Sequence, residues 1–516
     1  MFKFFKKNLF IAITFFFIIV YYYRIFQFDY IHDDHHAFVE YLFSNPYTFF
    51  EIIKKAFEFH SPFIRIIHYS ILDIVNYAFN INLVNYLLII INFVIIAYFL
   101  KKKNFSNLII IIFLLSFFFN PLNFQVFTWS FAGISYQITF LFFIIAVYMM
   151  QSLSKNFEYK RLFAFIFFLF CAALSFRYIL CSIFSLGLIS FLFFNDKKKL
   201  ILINLAVFFA VTIIIYDHLS HFSDLPSAHK GNRLNIMLNW ENFKLLIFKI
   251  FYLALQTPGQ ILIAYLDMYE HDNINRSIII NLYFLFSFVL VAFIIYEFFK
   301  SKNKEILAYF LIYLVGISIT ALDIESEYFF KSEINNIYLA HRHYFIPSFF
   351  LYLSFFTAIK GYKKIVKLYL LIFIVSFFIN YNFKERFFVN YSLKSDLNLK
   401  LINLFINKIE KNKFQYIVLS PNIKPGDIHP IYLILRAIVL KNNNYKTKGT
   451  KLYYNYEFFD LRHGGIPVDA SGVFVYGNYK FIYYDNDKEL NQDKIRKLKK
   501  KYRDLKIIYF DLNSLK

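Results

Sequence analysis

Residues 160–199 read KRLFAFIFFLFCAALSFRYILCSIFSLGLISFLFFNDKKK, and between Arg161 and Asp196 the only charge is Arg177. A helix needs roughly 17–25 apolar residues to cross a bilayer, so the run from 162 to 194 is too long for one span. Lys160 and Arg161 precede it and Lys197, Lys198 and Lys199 follow it. Positive clusters collect on the cytoplasmic side of a membrane, so a chain that enters and leaves through such clusters has to turn back in between. Two short helices turning near Ser175 to Arg177 satisfy both length and charge.

The rest of the chain repeats this pattern. Of 516 residues, 59% are hydrophobic and 17% charged, and 56 Lys and Arg against 34 Asp and Glu leave +22. With a mean hydropathy of +0.49, this composition excludes a disordered chain, a collagen, a disulfide scaffold and an ordinary soluble enzyme. Heavy use of Phe, Ile, Asn and Lys with 12 Gly fits codon bias in an AT-rich genome, so abundance of these residues carries little functional weight. Nucleic-acid binding is set aside, because the cations come in short clusters between apolar runs. Cys171 and Cys181 lie in apolar stretches, where packing is the expected role.

The first apolar run, residues 8–26, follows Lys3, Lys6 and Lys7 and ends in Tyr21, Tyr22, Tyr23 and Arg24. It lacks a small-residue cleavage site and reads as an uncleaved span entering from the cytoplasm. Further runs lie near 83–100, 106–120, 134–150, 200–216, 278–299, 305–321, 345–359 and 365–380. With the pair at 162–194 they make about eleven transmembrane helices. Every basic cluster between them then falls on one side: 101–103, 155–161, 197–199, 300–304 and 360–364. This expectation puts the N-terminus inside and residues 27–82, 121–133, 217–277, 322–344 and 381–516 outside. The apolar stretch 245–266 is broken by Thr257, Pro258 and Gly259 and reads as a surface-lying or re-entrant helix pair. The fold class expected is an α-helical polytopic membrane protein, transmembrane over 1–380, with a small external α/β domain at 381–516. That domain rests on three β-rich runs, at 414–420, 472–485 and 505–512. The middle run is interrupted by the hairpin signal Gly477-Asn478, and a basic helical stretch, KIRKLKKKYRD, precedes the last.

The first external loop opens with FDYIHDDHHAFVEYL, carrying Asp29, His32, Asp33, Asp34, His35, His36 and Glu40. No other segment is as dense in carboxylate and imidazole. Solvated charge at a membrane face is the bland reading. The sharper one is that a carboxylate here acts as general base toward an acceptor hydroxyl, or ligates a divalent cation such as Mg or Mn through oxygen. On a helix, adjacent residues point about 100° apart, so Asp33, Asp34, His35 and His36 cannot all converge on one ion. Metal dependence therefore stays open. Farther along the loop, the segment after Pro62 has apolar residues at helical spacing and reads as an interfacial helix. His60 and Arg65 there are candidates to line the same cavity, with lipid headgroup contact as the alternative. Arg177 and Arg342, the latter between His341 and His343, sit at the outer ends of spans. Arginine at membrane depth is costly and faces a cavity, a counter-charge or a phosphate, while snorkelling to the interface is the competing reading. The guanidinium fork suits a phosphate.

An inside-first span followed at once by an acidic pair resembles the GT-C superfamily of polytopic glycosyltransferases. The resemblance extends to an interfacial helix in a long first external loop, a His/Arg cluster before a late span and an external C-terminal domain. The nearest look is to the protein-mannosyltransferase-like, bacterial branch. It covers residues 1–380 by layout and only a handful by motif. It implies transfer of a sugar, usually with inversion, from a polyprenyl-phosphate donor to a glycan, lipid or protein acceptor at the outer face of the bacterial cytoplasmic membrane. On that resemblance Asp33 and Asp34 match the acidic pair, whose first member is the base, and the second position departs from the family's more frequent Glu. Arg342 matches a donor-phosphate contact, with His343 and Arg177 as further candidates. An O-antigen polymerase or ligase would rely on arginines and a large external loop. A transporter or lipid flippase would show related halves with broken spans, and no such repeat is visible.

Overall fold

The computed structural model describes residues 9–27, 78–120, 123–128, 130–176, 179–222, 273–317, 344–408, 415–419, 472–476, 479–483 and 505–508, with isolated positions between 50 and 70 and at 496 and 500. The apolar runs become helices α1 (Leu9–Tyr22, prolonged by a 3-10 turn at Tyr23–Gln27), α2 (Ala78–Lys102), α3 (Asn107–Phe118), α4 (Phe124–Thr128) and α5 (Ser130–Lys155). They continue as α6 (Tyr159–Ser175), α7 (Leu180–Phe193), α8 (Lys197–Phe222), α9 (Asn273–Ser301), α10 (Lys304–Ile317), α11 (Phe345–Ile359) and α12 (Lys363–Lys408). The run at 162–194 divides as its length requires: α6 stops at Ser175, Phe176 is extended, and α7 starts at Leu180. The run expected to end at residue 380 instead opens the 46-residue α12. Polar residues enter this helix after Asn380, but no Gly or Pro does, and polarity alone does not stop a helix.

Among the described residues, four stretches are long and apolar enough to cross a membrane: Leu9–Phe26, Asn82–Lys102, Gly133–Lys155 and Lys197–Tyr216. Asn107–Phe118, Leu180–Phe193 and Phe345–Ile359 are apolar but shorter. Phe16, Leu87, Phe163, Phe191, Phe208 and Phe209 are exposed, while Asn85, Asn92, Gln137 and Ser185 are buried. A water-soluble fold would bury the first set and expose the second. This inversion is the mark of a helical membrane protein, whose lipid-facing surface is apolar and whose polar groups are satisfied between helices.

Helix α11 shows why a short helix suffices at the centre. Its 15 residues rise only about 22 Å, against roughly 30 Å of hydrocarbon. Every residue but Thr357 is buried, so protein rather than lipid sets its length. Its sequence, FIPSFFLYLSFFTAI, carries no charge and presents rings all round. Phe345 meets Phe117 of α3 at 5.2 Å between centroids, Phe349 meets Phe140 of α5 at 4.9 Å, and Phe350 meets Phe143 at 5.5 Å. Such tilted pairs add to the area they bury. Pro347 falls in the first turn, where its missing N–H costs no helical bond. Gly316 of α10 lets three helices meet there, since a Cβ on it would lie 2.8 Å from Ser182 Oγ and 3.1 Å from Pro347 Cγ. Cys171 and Cys181 are buried free thiols.

The basic turns gather at one end of the bundle. Lys103, after α2, pairs with Glu305 of α10 at 2.6 Å, and Lys360, after α11, donates to the Lys103 carbonyl at 2.8 Å. Lys300 of α9 donates to Tyr362 Oη at 2.7 Å, which donates to Glu297 at 2.8 Å. Lys199 of α8 stands over the ring of Phe157, in the turn before α6, at 5.4 Å. The α5 terminus joins through Gln151, whose amide donates to Tyr309 Oη of α10 at 2.9 Å. All five clusters that the sequence assigns to one side thus occur together. Asn104 and Lys302 take left-handed backbone (φ 57° and 53°) where these tight turns reverse the chain.

The chain divides into two compact units, Met1–Gln27 with Ile52–Asn390, and Phe28–Glu51 with Tyr391–Lys516. Within the second, β1 (Gln415–Leu419), β2 (Gly472–Tyr476), β3 (Tyr479–Tyr483) and β4 (Leu505–Ile508) form a sheet of order β2-β3-β1-β4. β1 runs parallel to β3 and to β4. β2 and β3 are an antiparallel pair closed by Tyr476 opposite Tyr479, across Gly477-Asn478. Each strand falls inside one of the three β-rich runs. Of the basic stretch 494–504, only Arg496 and Lys500 are among the described residues.

Candidate functional site

The residues singled out for chemistry, Asp33, Asp34, His35, His36, His60, Arg65, Arg177, Arg342 and His343, lie outside the described residues, as do Asp29, His32, Glu40 and the broken stretch 245–266. The helix ends from which their segments depart are described. In sequence, Asp33 comes six residues after Gln27, Arg177 directly follows Phe176, and Arg342 stands two residues before Tyr344.

Those helix ends share one end of the first unit. Asn82, near the start of α2, donates to the carbonyl of Ile25 at 3.1 Å. Because α2 then runs to Lys102, the close of α1 lies opposite the basic turns. The ring of Phe176 packs on Tyr136, early in α5, at 4.6 Å, and α5 ends at Lys155. Phe345, next to Tyr344, touches Phe117 at the end of α3 and Phe127 of α4, and α11 ends at Ile359, just before Lys360. Gln27, Phe176 and Tyr344 therefore all belong to the end away from Lys101–Lys103.

A polar cluster braces this end. Asn82, Asn85 and Asn92 recur at steps of three and seven along α2, which puts them on one helical face. Asn85 Nδ2 donates to the Phe127 carbonyl at 3.1 Å, and Gln137 of α5 donates to Asn85 Oδ1 and to the Val126 carbonyl. Asn92 Nδ2 reaches Gln137 Oε1 at 3.3 Å, and Asn123 Nδ2 donates to the Phe117 carbonyl at 3.0 Å. Tyr22 Oη donates to the Phe118 carbonyl. Between α3 and α5, Phe119, Asn120, Asn123, Val126, Phe127 and Thr128 are buried, so carbonyls there need donors that neither water nor lipid supplies. The amides supply them and hold the turn against α1 and α2.

Gly133 lets α5 approach this cluster. A Cβ there would run into the Val126 carbonyl and stand 3.0 Å from Asn85 Oδ1. Gly133→Ala is expected to cost about 1–3 kcal/mol by pushing the Asn85 amide off its partners. Reversible denaturation in mixed micelles measures this, and an unchanged midpoint would show that α5 can shift without loss.

Among the described residues, the ion pairs lie at the other end. Burial pulls the Lys103 ammonium below its usual range, with Glu305 opposing the shift, and Asp196 is held below the ordinary carboxylate range chiefly by the Lys198 backbone N–H. Among the described residues, no three of His, Cys, Asp and Glu gather as metal ligands. No family model, curated protein or solved structure matches the chain. Sequence reading passed over two features, the amide cluster and the Lys103–Glu305 pair. The first had a signal, three Asn at helical spacing in an apolar run. The second joins residues about 200 positions apart and has no local trace.

Proposed function

We propose that the protein is a GT-C-type polytopic glycosyltransferase. It takes a sugar from a polyprenyl-phosphate donor and passes it to a cell-envelope glycan, lipid or protein acceptor at the outer face of the bacterial cytoplasmic membrane. The observation that supports this reading is the shared end of Gln27, Phe176 and Tyr344, the described neighbours of the acidic and arginine segments, away from the basic turns. With the basic turns cytoplasmic and about eleven spans, that end faces outward, where a lipid-linked donor keeps its tail in the bilayer and its phosphate at the interface.

In this reading Asp33 or Asp34 takes the proton of the acceptor hydroxyl as its oxygen attacks the anomeric carbon. The bond from that carbon to the phosphate oxygen breaks on the opposite face, inverting the centre, and its electron pair leaves on the phosphate. Arg342, with His343 and Arg177, meets the charge that develops there. His35, His36, His60 and Arg65 line the approach, and a divalent cation such as Mg or Mn has a role only if the acidic segment ligates one. The external α/β domain at 381–516 helps hold the acceptor.

The test is transfer of radiolabelled sugar in membranes carrying the full chain, offered on a polyprenyl phosphate or on a nucleotide. Label passing from the lipid donor alone is the expected result. Transfer from the nucleotide donor would sink the reading, and joining of diphosphate-linked glycans alone would turn it toward a polymerase.

A further inference from the structure

The basic end carries an uncompensated charge whose partner can be named from its chemistry. The turns at 101–106, 155–161, 195–199, 297–305 and 360–364 hold fifteen Lys and Arg against four carboxylates, an excess of eleven positive charges. Each carboxylate already has a cation: Glu305 has Lys103, Glu158 has Arg161 at 3.1 Å, Asp196 has Lys199 at 3.4 Å, and Glu297 has Lys300 at 4.0 Å. The cations left over are exposed, Lys102, Lys155, Lys160, Lys197, Lys198, Lys302, Lys304, Lys363 and Lys364 among them. They are also drawn together, since Lys155 and Lys360 both act electrostatically on Lys103. Large rings stand exposed beside them, Tyr159 at 82%, Phe163 at 73% and Phe299 at 70%. A soluble anion would use the charges and leave the rings in water. A lipid headgroup satisfies both, because aromatic residues favour the interface and cations favour anionic headgroups within a Debye length.

We propose that this end binds anionic phospholipid headgroups, so that the protein is ringed by them in preference to zwitterionic lipid. Several cations on separate turns face the same leaflet, so selectivity arises from their summed field and falls with salt. The inference needs the membrane setting of the fold but is independent of the chemistry at the opposite end.

The experiment reconstitutes the full chain in phosphatidylcholine vesicles with trace spin-labelled phosphatidylglycerol or phosphatidylcholine and compares the protein-bound fraction of each. A preference of about two-fold or more for phosphatidylglycerol at low salt is expected, shrinking toward one in about 1 M NaCl. The variant Lys155→Gln/Lys302→Gln/Lys363→Gln/Lys364→Gln should lose most of it while melting like the wild type in neutral lipid. If that variant does not fold, the wild-type salt titration still decides. Equal association of both labels at low salt, or displacement of the bound label by millimolar inorganic phosphate, would overturn the proposal. Neither readout reports sugar transfer, so a failed transfer assay and a failed lipid preference remain distinguishable.

Discussion

Asp33→Asn and Asp34→Asn, made singly, are expected to give unequal losses. The variant lacking the base should lose about 100- to 10,000-fold in transfer, the usual contribution of a positioned general base. The other should lose far less. Asn keeps the size and the hydrogen-bonding oxygen of Asp but cannot accept the proton, so the loss reports proton transfer rather than packing. The pH profile supplies a second readout: the acid limb of the rate, set by the carboxylate that must be ionised, should vanish in the base-less variant and persist in its neighbour. The assay uses radiolabelled polyprenyl-phosphate sugar in membranes with matched protein levels. Full activity in both variants would remove the carboxylate mechanism and shift weight to an arginine-based polymerase. Equal partial losses would point to two carboxylates sharing a cation, and added Mg or Mn would then change the rate.

The helix pattern was legible in the sequence because lipid imposes a simple rule on each segment separately: length, apolarity and the sign of the flanking charge. The break at Ser175–Leu180 illustrates it, since neither local propensity nor a Pro or Gly marks the turn, and only the length of the run and its two basic ends demand one. The extent of α12 was not legible, because hydropathy falls after Asn380 while nothing in 381–408 stops a helix. For the candidate site the balance is reversed. Asp33, Asp34, Arg177 and Arg342 stand out by residue type alone, as charges beside apolar runs. The amides that brace the neighbouring helix ends do not, since Asn is abundant throughout the chain and only the pairing of Asn85 with Gln137 and with the Phe127 carbonyl of α4 gives it a task. Lys103 looked like one of many topology charges, and only its contact with Glu305 sets it apart.

That contact makes the second large prediction. The Lys103 side chain is 12% exposed and that of Glu305 27%, and the lysine lies against the rings of Phe99 and Tyr309 at 5.8 and 5.9 Å. Glu305→Gln should cost about 2–4 kcal/mol, because it leaves a nearly buried ammonium without its counter-charge. Lys103→Met keeps the packing on both rings and leaves Glu305, whose side chain is 27% exposed, within reach of water, so its cost should be about 1 kcal/mol. The double variant should be no worse than Lys103→Met, since each partner's main task is to neutralise the other. Strict additivity in reversible denaturation would show that the pair does not interact across the α2–α10 contact. Alkaline pH gives an independent check with a fixed sign. Burial, the largest influence, holds the Lys103 pKa in the folded protein below its ordinary 10.5, and the Glu305 carboxylate resists that shift. Between the folded value and 10.5 the unfolded chain binds the extra proton, so stability rises with pH across that window. Removing Glu305 lowers the folded value further, so the Glu305→Gln deficit should shrink as pH is raised toward 10.5, whereas the Lys103→Met background lacks this contribution. A Glu305→Gln deficit constant from neutral to alkaline pH would mean that the carboxylate acts through packing and not through the charge of Lys103.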